Sequence, residues 1–301
     1  MSYKHAKYAD SLREFGTPYY LSLSQGWILK RQIRQADFYD AVGCYPLFSC
    51  HNWTQLHYDL EKLDEQLVSV TLVTDPFGQY DENYLRHTFK DRVVPFKKHY
   101  IVDLKRPLEQ SVSSHHRYYA RRSMKDAVVQ RVTNPPALID AWWQLYRVLI
   151  DRHQIKGIQA FSYSSFLKQL AVPGTVAFVS KQADELTGMQ IWYVDDCQAY
   201  HHLSAYSAQG YNKRVSYALL WTALTFFQEA SITWADLGGG AGLKIQKDDG
   251  LTKFKKGWAT DFKMSYLCGR VLNSARYTHL AQQAKAEQTS YFPAYRSDEF
   301  S

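Results

Sequence analysis

A short apolar run that breaks into glycines constrains the fold of this chain more than any other segment. The sequence Ile-Thr-Trp-Ala-Asp-Leu-Gly-Gly-Gly-Ala-Gly-Leu covers residues 232–243, and Gly-Leu-Thr-Lys-Phe-Lys-Lys-Gly covers residues 250–257. Glycines at the end of a strand allow backbone amides to approach a ligand, because no Cβ atom is in the way. The pattern therefore predicts a strand that ends at a ligand-binding turn.

Glycine turns of this kind also open the doubly wound sheets that bind S-adenosylmethionine or dinucleotides. In those folds the turn begins a helix, and several further strand–helix units follow. Here residues 244–250 are polar and end in glycine, and only 59 of the 301 residues follow Gly242. A P-loop is also excluded, because Lys244 lacks the preceding Gly and the following Ser or Thr. The sequence therefore disfavours a nucleotide-type sheet.

The composition is that of a globular protein. The chain is 46% hydrophobic and 15% aromatic, and its length suggests two domains. It has no run of 18 apolar residues and no apolar segment of the signal-peptide type near residue 1, so a cytoplasmic location is expected. The four cysteines lack metal-type spacing, so we expect free thiols and no metal site. A net charge of +7 suggests an anionic partner.

The second half of the chain has a regular order of elements. Three apolar runs, 175–180, 187–194 and 199–206, are separated by short polar turns and predict an antiparallel meander. A helix over 213–229 and a strand over 232–237 are expected next. Because amides at a helix N-terminus carry the positive end of the helix dipole, the junction before Lys213 is a candidate anion site.

The first half predicts a less regular series. We expect helices over 53–67, 107–125 and 137–152, and strands over 68–73, 100–103 and 128–132. At the other end of the chain, the aromatic and basic segment 291–296 either folds back over a groove or frays.

The order of helix, three antiparallel strands, glycine turn, helix and strand resembles the core of GNAT acyltransferases. In that superfamily the turn before the helix binds the pyrophosphate of coenzyme A. The segment Gln-Gly-Tyr-Asn-Lys-Arg at 209–214 is similar to a shortened version of that turn, with one glycine and two cations. The resemblance implies a donor site formed by Leu203, Ala205, Gln209, Gly210, Tyr211, Asn212, Lys213 and Arg214.

Several segments further resemble the Fem-type (FemAB-like) transferases, which have tandem GNAT-like domains. They are the strand at 100–103, Tyr-Ala-Arg-Arg at 119–122 with the strand at 128–132, and the glycine turn with the Phe-Lys segment of 250–258. The resemblance implies an α+β fold of two GNAT-like domains, 1–132 and 133–301, each with a mostly antiparallel mixed sheet flanked by helices. The long helical hairpin of classical members has no counterpart, which is typical of Fem-like proteins encoded beside exopolysaccharide and cell-envelope genes.

Acyl transfer requires a polarised carbonyl and a deprotonated nucleophile, and these needs select the candidate catalytic residues. Backbone amides near 203–206 would polarise the carbonyl. His202 and Asp236 are candidate bases, with His201 as the alternative on the opposite face of the strand. Lys255 is the candidate cation, which would neutralise phosphates of the donor or an anionic acceptor. A structural role for each histidine, and a turn-capping role for Asp236, stay open.

Candidate substrate-binding residues surround this core. If the loop after Gly250 is extended, Lys253 and Lys255 lie on one side and Phe254 on the other, whereas a helical turn would separate the two lysines. The candidate set consists of Arg121, Arg122, Gly239, Lys253 and Phe254.

Three functions are consistent with these patterns. The first is transfer of an acyl group from acyl-CoA, as a co-substrate and not a resident cofactor, to an amine or hydroxyl of a small-molecule, glycan or lipid-linked acceptor of the cell envelope or of polysaccharide synthesis. The second is transfer from aminoacyl-tRNA, and the third is a non-catalytic module that binds nucleic acid or a protein partner. No stable nucleic-acid complex is expected for the first, and peripheral membrane contact would accompany a lipid-linked acceptor. The sequence does not determine the oligomeric state.

Overall fold

The computed structural model describes residues 3–34, 36–63, 67–155, 157, 160–183, 185–240 and 249–300. They form two compact units. The central unit is Lys97–Lys263, and the terminal unit combines Tyr3–Phe96 with Met264–Ser301. The domain boundary predicted from the sequence, between residues 132 and 133, falls inside the central unit.

The regular elements alternate along most of the chain. The strands are β1 (Thr17–Leu21), β2 (Gly26–Gln32), β3 (Tyr39–Gly43), β4 (Leu67–Val73), β5 (Arg92–Asp103), β6 (Val128–Val132), β7 (Thr175–Gln182), β8 (Glu185–Asp195), β9 (Gln198–Tyr206), β10 (Trp234–Asp236) and β11 (Asp261–Val271). The α-helices are α1 (Ala6–Ser11), α2 (Leu56–Glu61), α3 (Glu82–Thr88), α4 (Leu108–Ser111), α5 (Ser114–Asp126), α6 (Ile139–His153), α7 (Tyr163–Leu170), α8 (Ala208–Asn212), α9 (Val215–Glu229), α10 (Gly250–Lys256) and α11 (Ser274–Gln283). Short 3-10 helices cover Arg13–Phe15, Trp53–Gln55, Pro135–Leu138 and Ala294–Phe300.

The strands belong to one mixed sheet of 11 strands, in the order β1-β2-β3-β4-β11-β5-β10-β9-β8-β7-β6. The expectation of two separate GNAT-like sheets is therefore wrong, although the mixed α+β class is confirmed. The reason lies in β5 and β11, which contain 12 and 11 residues and contribute to both compact units. The sequence pattern identified only the last four residues of β5.

The meander predicted for the second half is confirmed. Strand β7 pairs antiparallel with β8, with Thr175 opposite Tyr193, and β8 pairs antiparallel with β9. Strand β10 then runs parallel to β9, with Trp234 opposite Gln198. Helix α9 buries Leu219 and Phe227 in the core of the central unit. Full burial of each such side chain stabilises the fold by about 1.5–3 kcal/mol.

Two expected helices are interrupted in the structure. The helix predicted over 107–125 is divided, because Val112 is extended and Ser113 caps α5 by accepting from the His116 amide. The helix predicted to begin at Lys213 is preceded by an extra short helix, α8, and Arg214 is left-handed with φ 55° before α9. Both interruptions lie next to the candidate functional residues.

The C-terminal segment is packed within the terminal unit. Tyr295 and Arg296 are buried, and the Arg296 guanidinium bonds to both carboxylate oxygens of the buried Asp40. The Tyr295 hydroxyl lies 2.8 Å from the Ser69 hydroxyl. Of the two alternatives for segment 291–296, fraying is therefore excluded at these positions.

Candidate functional site

The turn after β10 is held by the side chain of Asp236. One carboxylate oxygen accepts from the Gly238 amide at 2.7 Å, and the other lies 2.8 Å from Nδ1 of His99 on β5. Gly238 has a φ of +77°, a conformation that favours glycine. Asp236 is buried. The capping role considered for Asp236 is thus observed, and His99 is its second partner.

Strands β9 and β10 diverge at the same place. Their pairs in the described part of the chain end with Tyr200 opposite Asp236, while β9 continues beside β8 to Tyr206. The chain after β10 follows β5 instead, since Leu237 N donates to Tyr100 O and Tyr100 N donates to Gly238 O. The predicted carbonyl-polarising residues, Leu203 and Ala205, lie on the stretch of β9 beyond this divergence.

Two lysines bind consecutive carbonyls of the glycine turn. Lys255 Nζ donates to Gly239 O at 2.6 Å, and Lys97 Nζ donates to Gly240 O at 3.1 Å. A Cβ atom on Gly239 would lie 2.9 Å from Cδ of Lys97, so glycine at this position makes room for that side chain. We call Lys97, Asp236, Gly239, Gly240 and Lys255 the lysine site.

The Phe-Lys segment is helical, which corrects the extended alternative for residues 250–257. Asp249 caps α10 by accepting from the Thr252 amide at 2.6 Å. The helix separates the two lysines, so that Lys253 is exposed and Lys255 is buried. Phe254 is half-buried against Tyr217 of α9, with ring centroids 5.0 Å apart. Only Lys255 of the two predicted lysines therefore reaches the turn.

Burial controls the charge of the lysine site. It lowers the pKa of Lys255 from 10.5 to about 8; the Asp236 carboxylate opposes the shift, and the Lys97 ammonium adds to it. Burial also lowers the pKa of Lys97, against the attraction of Asp249. Lys255 is thus mainly protonated at neutral pH, although little water surrounds it.

The two candidate histidines lie on opposite faces of β9. His202 Nε2 is 2.9 Å from the Gln169 side-chain oxygen, and burial lowers the pKa of His202 to about 3. The ring of His201 lies 4.7 Å from the ring of Trp192 at an angle of 39°, and its buried Nε2 has no hydrogen-bond partner among the described residues. Burial, followed by the charge of Lys255, lowers the pKa of His201 to about 3. His201, not His202, thus shares its surroundings with Lys255, and neither is charged near neutral pH.

In the predicted donor-binding turn, four backbone amides donate hydrogen bonds to residues of the same turn or to Ser207 just before it. Gly210 N donates to Ser207 Oγ at 3.1 Å, Tyr211 N to Ser207 O at 3.0 Å, Lys213 N to Gln209 O at 2.9 Å and Arg214 N to Tyr211 O at 3.1 Å. A Cβ atom on Gly210 would lie only 2.0 Å from Thr187 O. Ser207 causes this arrangement, because it caps an extra turn that the sequence pattern did not reveal.

The cations of that turn and of α5 lie at the surface among aromatic rings. The Arg214 guanidinium lies 4.0 Å from the Tyr119 ring centroid, and the exposed Lys213 pairs with Asp126 at 3.4 Å. Arg121 and Arg122 are exposed on α5. We call Tyr119, Arg121, Arg122 and Arg214 the basic aromatic face. Asn212 is exposed in the same turn.

Sequence reasoning missed three residues near the lysine site. Lys97 and His99 lie on the part of β5 that was not recognised as strand, and His116 of α5 contacts the carbonyl of Phe254. The Lys-Lys-His sequence directly before the predicted strand at residue 100 was the available signal for the first two. No local pattern indicates His116.

The terminal unit contains a cavity that is separate from the lysine site. A cavity of about 320 Å³ lies in the terminal unit, lined by Arg92, Tyr277, Glu287 and neighbouring residues, and shares no residue with the lysine site. Within the described ranges, no group of His, Cys, Asp or Glu side chains is arranged to hold a metal ion. None of the helices described for this chain is both long and apolar enough to cross a lipid bilayer.

The fold of this chain resembles that of solved Fem-like proteins. The chain is similar to FemX, with a TM-score of 0.68 and 12% identity over 91% of this chain and 93% of that chain. It is also similar to the C-terminal domain of a putative lysylphosphatidylglycerol synthetase from Agrobacterium fabrum, with a TM-score of 0.62 and 14% identity over 93% and 91%. A third similar structure is that of L-PGS from Bacillus licheniformis, with a TM-score of 0.59 and 13% identity over 94% of this chain and 96% of that chain.

These similarities confirm a mixed α+β fold of GNAT-like type but not the predicted pair of domains, and at such low identity they concern the fold alone. The sequence matches no protein-family model and no curated protein.

Proposed function

We propose that this chain is an acyltransferase, which moves an acyl group from an activated ester or thioester donor to an amine or hydroxyl acceptor. The observation that carries the proposal is the buried ammonium of Lys255, bound to Gly239 O in the turn that follows the divergence of β9 and β10. A cation with little water around it stabilises developing negative charge more strongly than an exposed one.

The chemistry assigns each group a distinct part. The acceptor's lone pair forms a bond to the donor's carbonyl carbon. The π electrons of the donor's C=O bond move to the carbonyl oxygen, which becomes negatively charged. Lys255 and the amides of β9 near Leu203 and Ala205 stabilise that charge. When the tetrahedral intermediate collapses, the bond to the donor oxygen or sulfur breaks, and this leaving atom takes up the proton that the acceptor loses. Binding both reactants together supplies much of the remaining rate.

The sequence left two donors open, acyl-CoA and aminoacyl-tRNA, and two features of the surface favour aminoacyl-tRNA. An acyl-CoA donor would use the turn at 209–214, but four of its amides bond within the turn. The basic aromatic face instead combines exposed cations with the partly exposed ring of Tyr119, a surface suited to phosphates and bases. One similar structure carries the name of a putative lysylphosphatidylglycerol synthetase. Lysylphosphatidylglycerol is an aminoacyl ester, as is aminoacyl-tRNA. We therefore place aminoacyl-tRNA ahead of acyl-CoA as donor.

The acceptor is proposed to be an amine or hydroxyl of a cell-envelope component, as the Fem-type resemblance implies. A lipid-linked acceptor would bring the chain to a membrane surface. The lysine site supports either nucleophile, because Lys255 acts on the donor's carbonyl oxygen and not on the acceptor.

A binding and transfer experiment tests the proposal. Acetyl-CoA is titrated by calorimetry, and charged tRNA is titrated at two salt concentrations. Transfer is then followed in single turnover with a lipid-linked cell-wall precursor. We expect tRNA binding that weakens with salt, and a transfer rate lowered at least about 100-fold in Lys255→Met. Lys256→Met, an exposed change in the same helix, is the control.

The pH dependence of the transfer rate shows whether Lys255 acts in its protonated or its deprotonated form. If the protonated lysine stabilises the oxyanion, the transfer rate falls as the pH rises through about 8. A rate that depends on a deprotonated Lys255 would contradict this role. Binding of acetyl-CoA but not tRNA would reverse the choice of donor, and binding of neither would favour the non-catalytic module.

A further inference from the structure

His116 of α5 packs against the helix that carries Lys255, against the residues that follow this helix, and against α9. Its ring lies 5.3 Å from the ring of Trp258, 5.2 Å from Tyr217 and 5.7 Å from Phe254, measured between centroids. A Cβ atom on Gly257 would lie 2.0 Å from Cε1 of His116. The glycine at the end of α10 therefore leaves the space that the imidazole fills.

Both ring nitrogens of His116 have a specific partner. Nε2 is 2.9 Å from the Phe254 carbonyl oxygen, and Nδ1 is 2.8 Å from the Ser113 hydroxyl. A carbonyl can only accept, so Nε2 carries the hydrogen and donates it, while Nδ1 accepts from Ser113. Burial lowers the pKa of His116, which favours the neutral ring, and the Phe254 carbonyl selects the tautomer with hydrogen on Nε2.

The bonded carbonyl immediately precedes Lys255 in the chain. The last carbonyls of a helix have no partner within the helix, and α10 ends at Lys256. The neighbouring carbonyls are bonded locally, since Lys253 O accepts from Gly257 N and Lys255 O accepts from Trp258 N. The Phe254 carbonyl is instead bonded by a side chain from another helix. His116 thus fixes the peptide group between Phe254 and Lys255.

We propose that His116 is a positioning residue that holds the Lys255 ammonium against the Gly239 carbonyl. It does not touch the reacting atoms, and acts through the backbone of α10. The proposal rests on the proposed function only for the consequence in catalysis, because the geometry that it explains is a property of the free protein.

Three variants separate positioning from simple packing. His116→Leu removes both hydrogen bonds. His116→Gln keeps a side-chain N–H that can reach the Phe254 carbonyl. His115→Gln changes the exposed neighbour on the same helix and serves as the matched control. Folding is checked by circular dichroism and thermal unfolding.

The first readout is the pKa of Lys255 itself, measured by NMR after reductive ¹³C-methylation and assigned with Lys255→Met. The charged and titratable groups around Lys255 are Lys97, Asp236, Asp249 and His201, and the His116 and His115 variants leave them all in place. We expect His116→Leu to raise the pKa of Lys255 by roughly one pH unit or more, because the ammonium gains water. His116→Gln should shift it by less than half as much, and His115→Gln should not shift it.

The second readout is transfer. His116→Leu should lower kcat roughly 10- to 100-fold with little change in KM, since a misplaced catalytic group affects the transition state more than donor binding. His116→Gln should recover most of that loss. An unchanged pKa of Lys255 in folded His116→Leu, or equal effects of the His115 and His116 changes, would overturn the proposal.

A failure of His116→Leu to fold leaves the proposal testable through Ser113→Ala. That change removes the Nδ1 partner and keeps the ring, so we expect a smaller rise in the pKa of Lys255, and an unchanged value would again overturn it. If no donor supports transfer but the pKa of Lys255 follows His116, positioning stands and the acyltransferase proposal fails. If transfer depends on Lys255 but not on His116, only the positioning role fails.

Discussion

At the scale of single residues, the buried ammonium of Lys255 lowers the stability of the folded state. Burial favours the neutral amine, so the folded state holds the proton less tightly than the unfolded chain. A group whose folded pKa is lowered in this way destabilises the fold when it is protonated. Such a cost is characteristic of groups kept for function.

We therefore predict that Lys255→Met raises the free energy of unfolding at pH 7 by roughly 1–3 kcal/mol. Because the unfolded chain binds more protons between the two pKa values, the wild type gains stability relative to the variant as the pH rises from about 8 to 10.5. Urea unfolding at several pH values measures both effects. A wild type more stable than Lys255→Met at pH 7 would contradict the prediction, and Lys256→Met should change little.

At the scale of elements, the turn from Ser207 to Arg214 decides how α9 begins. Its glycine is required for packing, because the strand carbonyl of Thr187 occupies the space next to Gly210. The glycine that opens α10 differs, since a Cβ placed on Gly250 would have no heavy atom of the described residues within 4 Å, apart from its chain neighbours and the backbone of its own helix. Both glycines lie in the first turn of a helix, but only Gly210 is required by close packing.

Alanine at these two positions should give opposite results. Gly210→Ala forces a backbone shift and should destabilise the fold by roughly 1–3 kcal/mol. Gly250→Ala should be neutral or stabilise it by up to about 1 kcal/mol, because alanine favours the helix. Denaturant midpoints of the two variants measure the difference. Equal tolerance at both positions would mean that the turn is not packed as described.

At the scale of the whole molecule, the terminal unit is assembled from both ends of the chain. Asp40 of β3 is buried and receives Arg296 from the C-terminal 3-10 helix, together with Arg31 from β2 at 3.3 Å. Removing one partner of a buried ion pair leaves a charge with too few bonds. Exposed pairs, such as Arg86 with Glu82 on α3, contribute far less.

Arg296→Met should therefore destabilise the protein by roughly 2–4 kcal/mol, whereas Arg86→Met should change the free energy of unfolding by less than about 1 kcal/mol. Thermal unfolding monitored by circular dichroism compares the two. If the two changes cost the same, the C-terminal segment does not fold back onto Asp40.

The sequence by itself determined the α+β class and the meander of β7, β8 and β9. These follow from local rules, because the spacing of apolar residues distinguishes helix from strand, and glycines mark strand ends. Between Thr175 and Leu237 the strands and α9 follow such local signals, and the exception is the short helix α8. The Fem/GNAT-like fold was recognisable from the order of these elements.

Only the tertiary structure decided which side chains meet. The continuation of one sheet through β5 and β11, and the arrival of Lys97, His99 and His116 near Lys255, depend on contacts between residues more than one hundred positions apart. The choice between an extended and a helical Phe-Lys segment also belongs here, since α10 buries Lys255 only where the glycine turn offers its carbonyl. Local patterns do not encode such pairings, because the free energy that fixes them comes from burial in the assembled core.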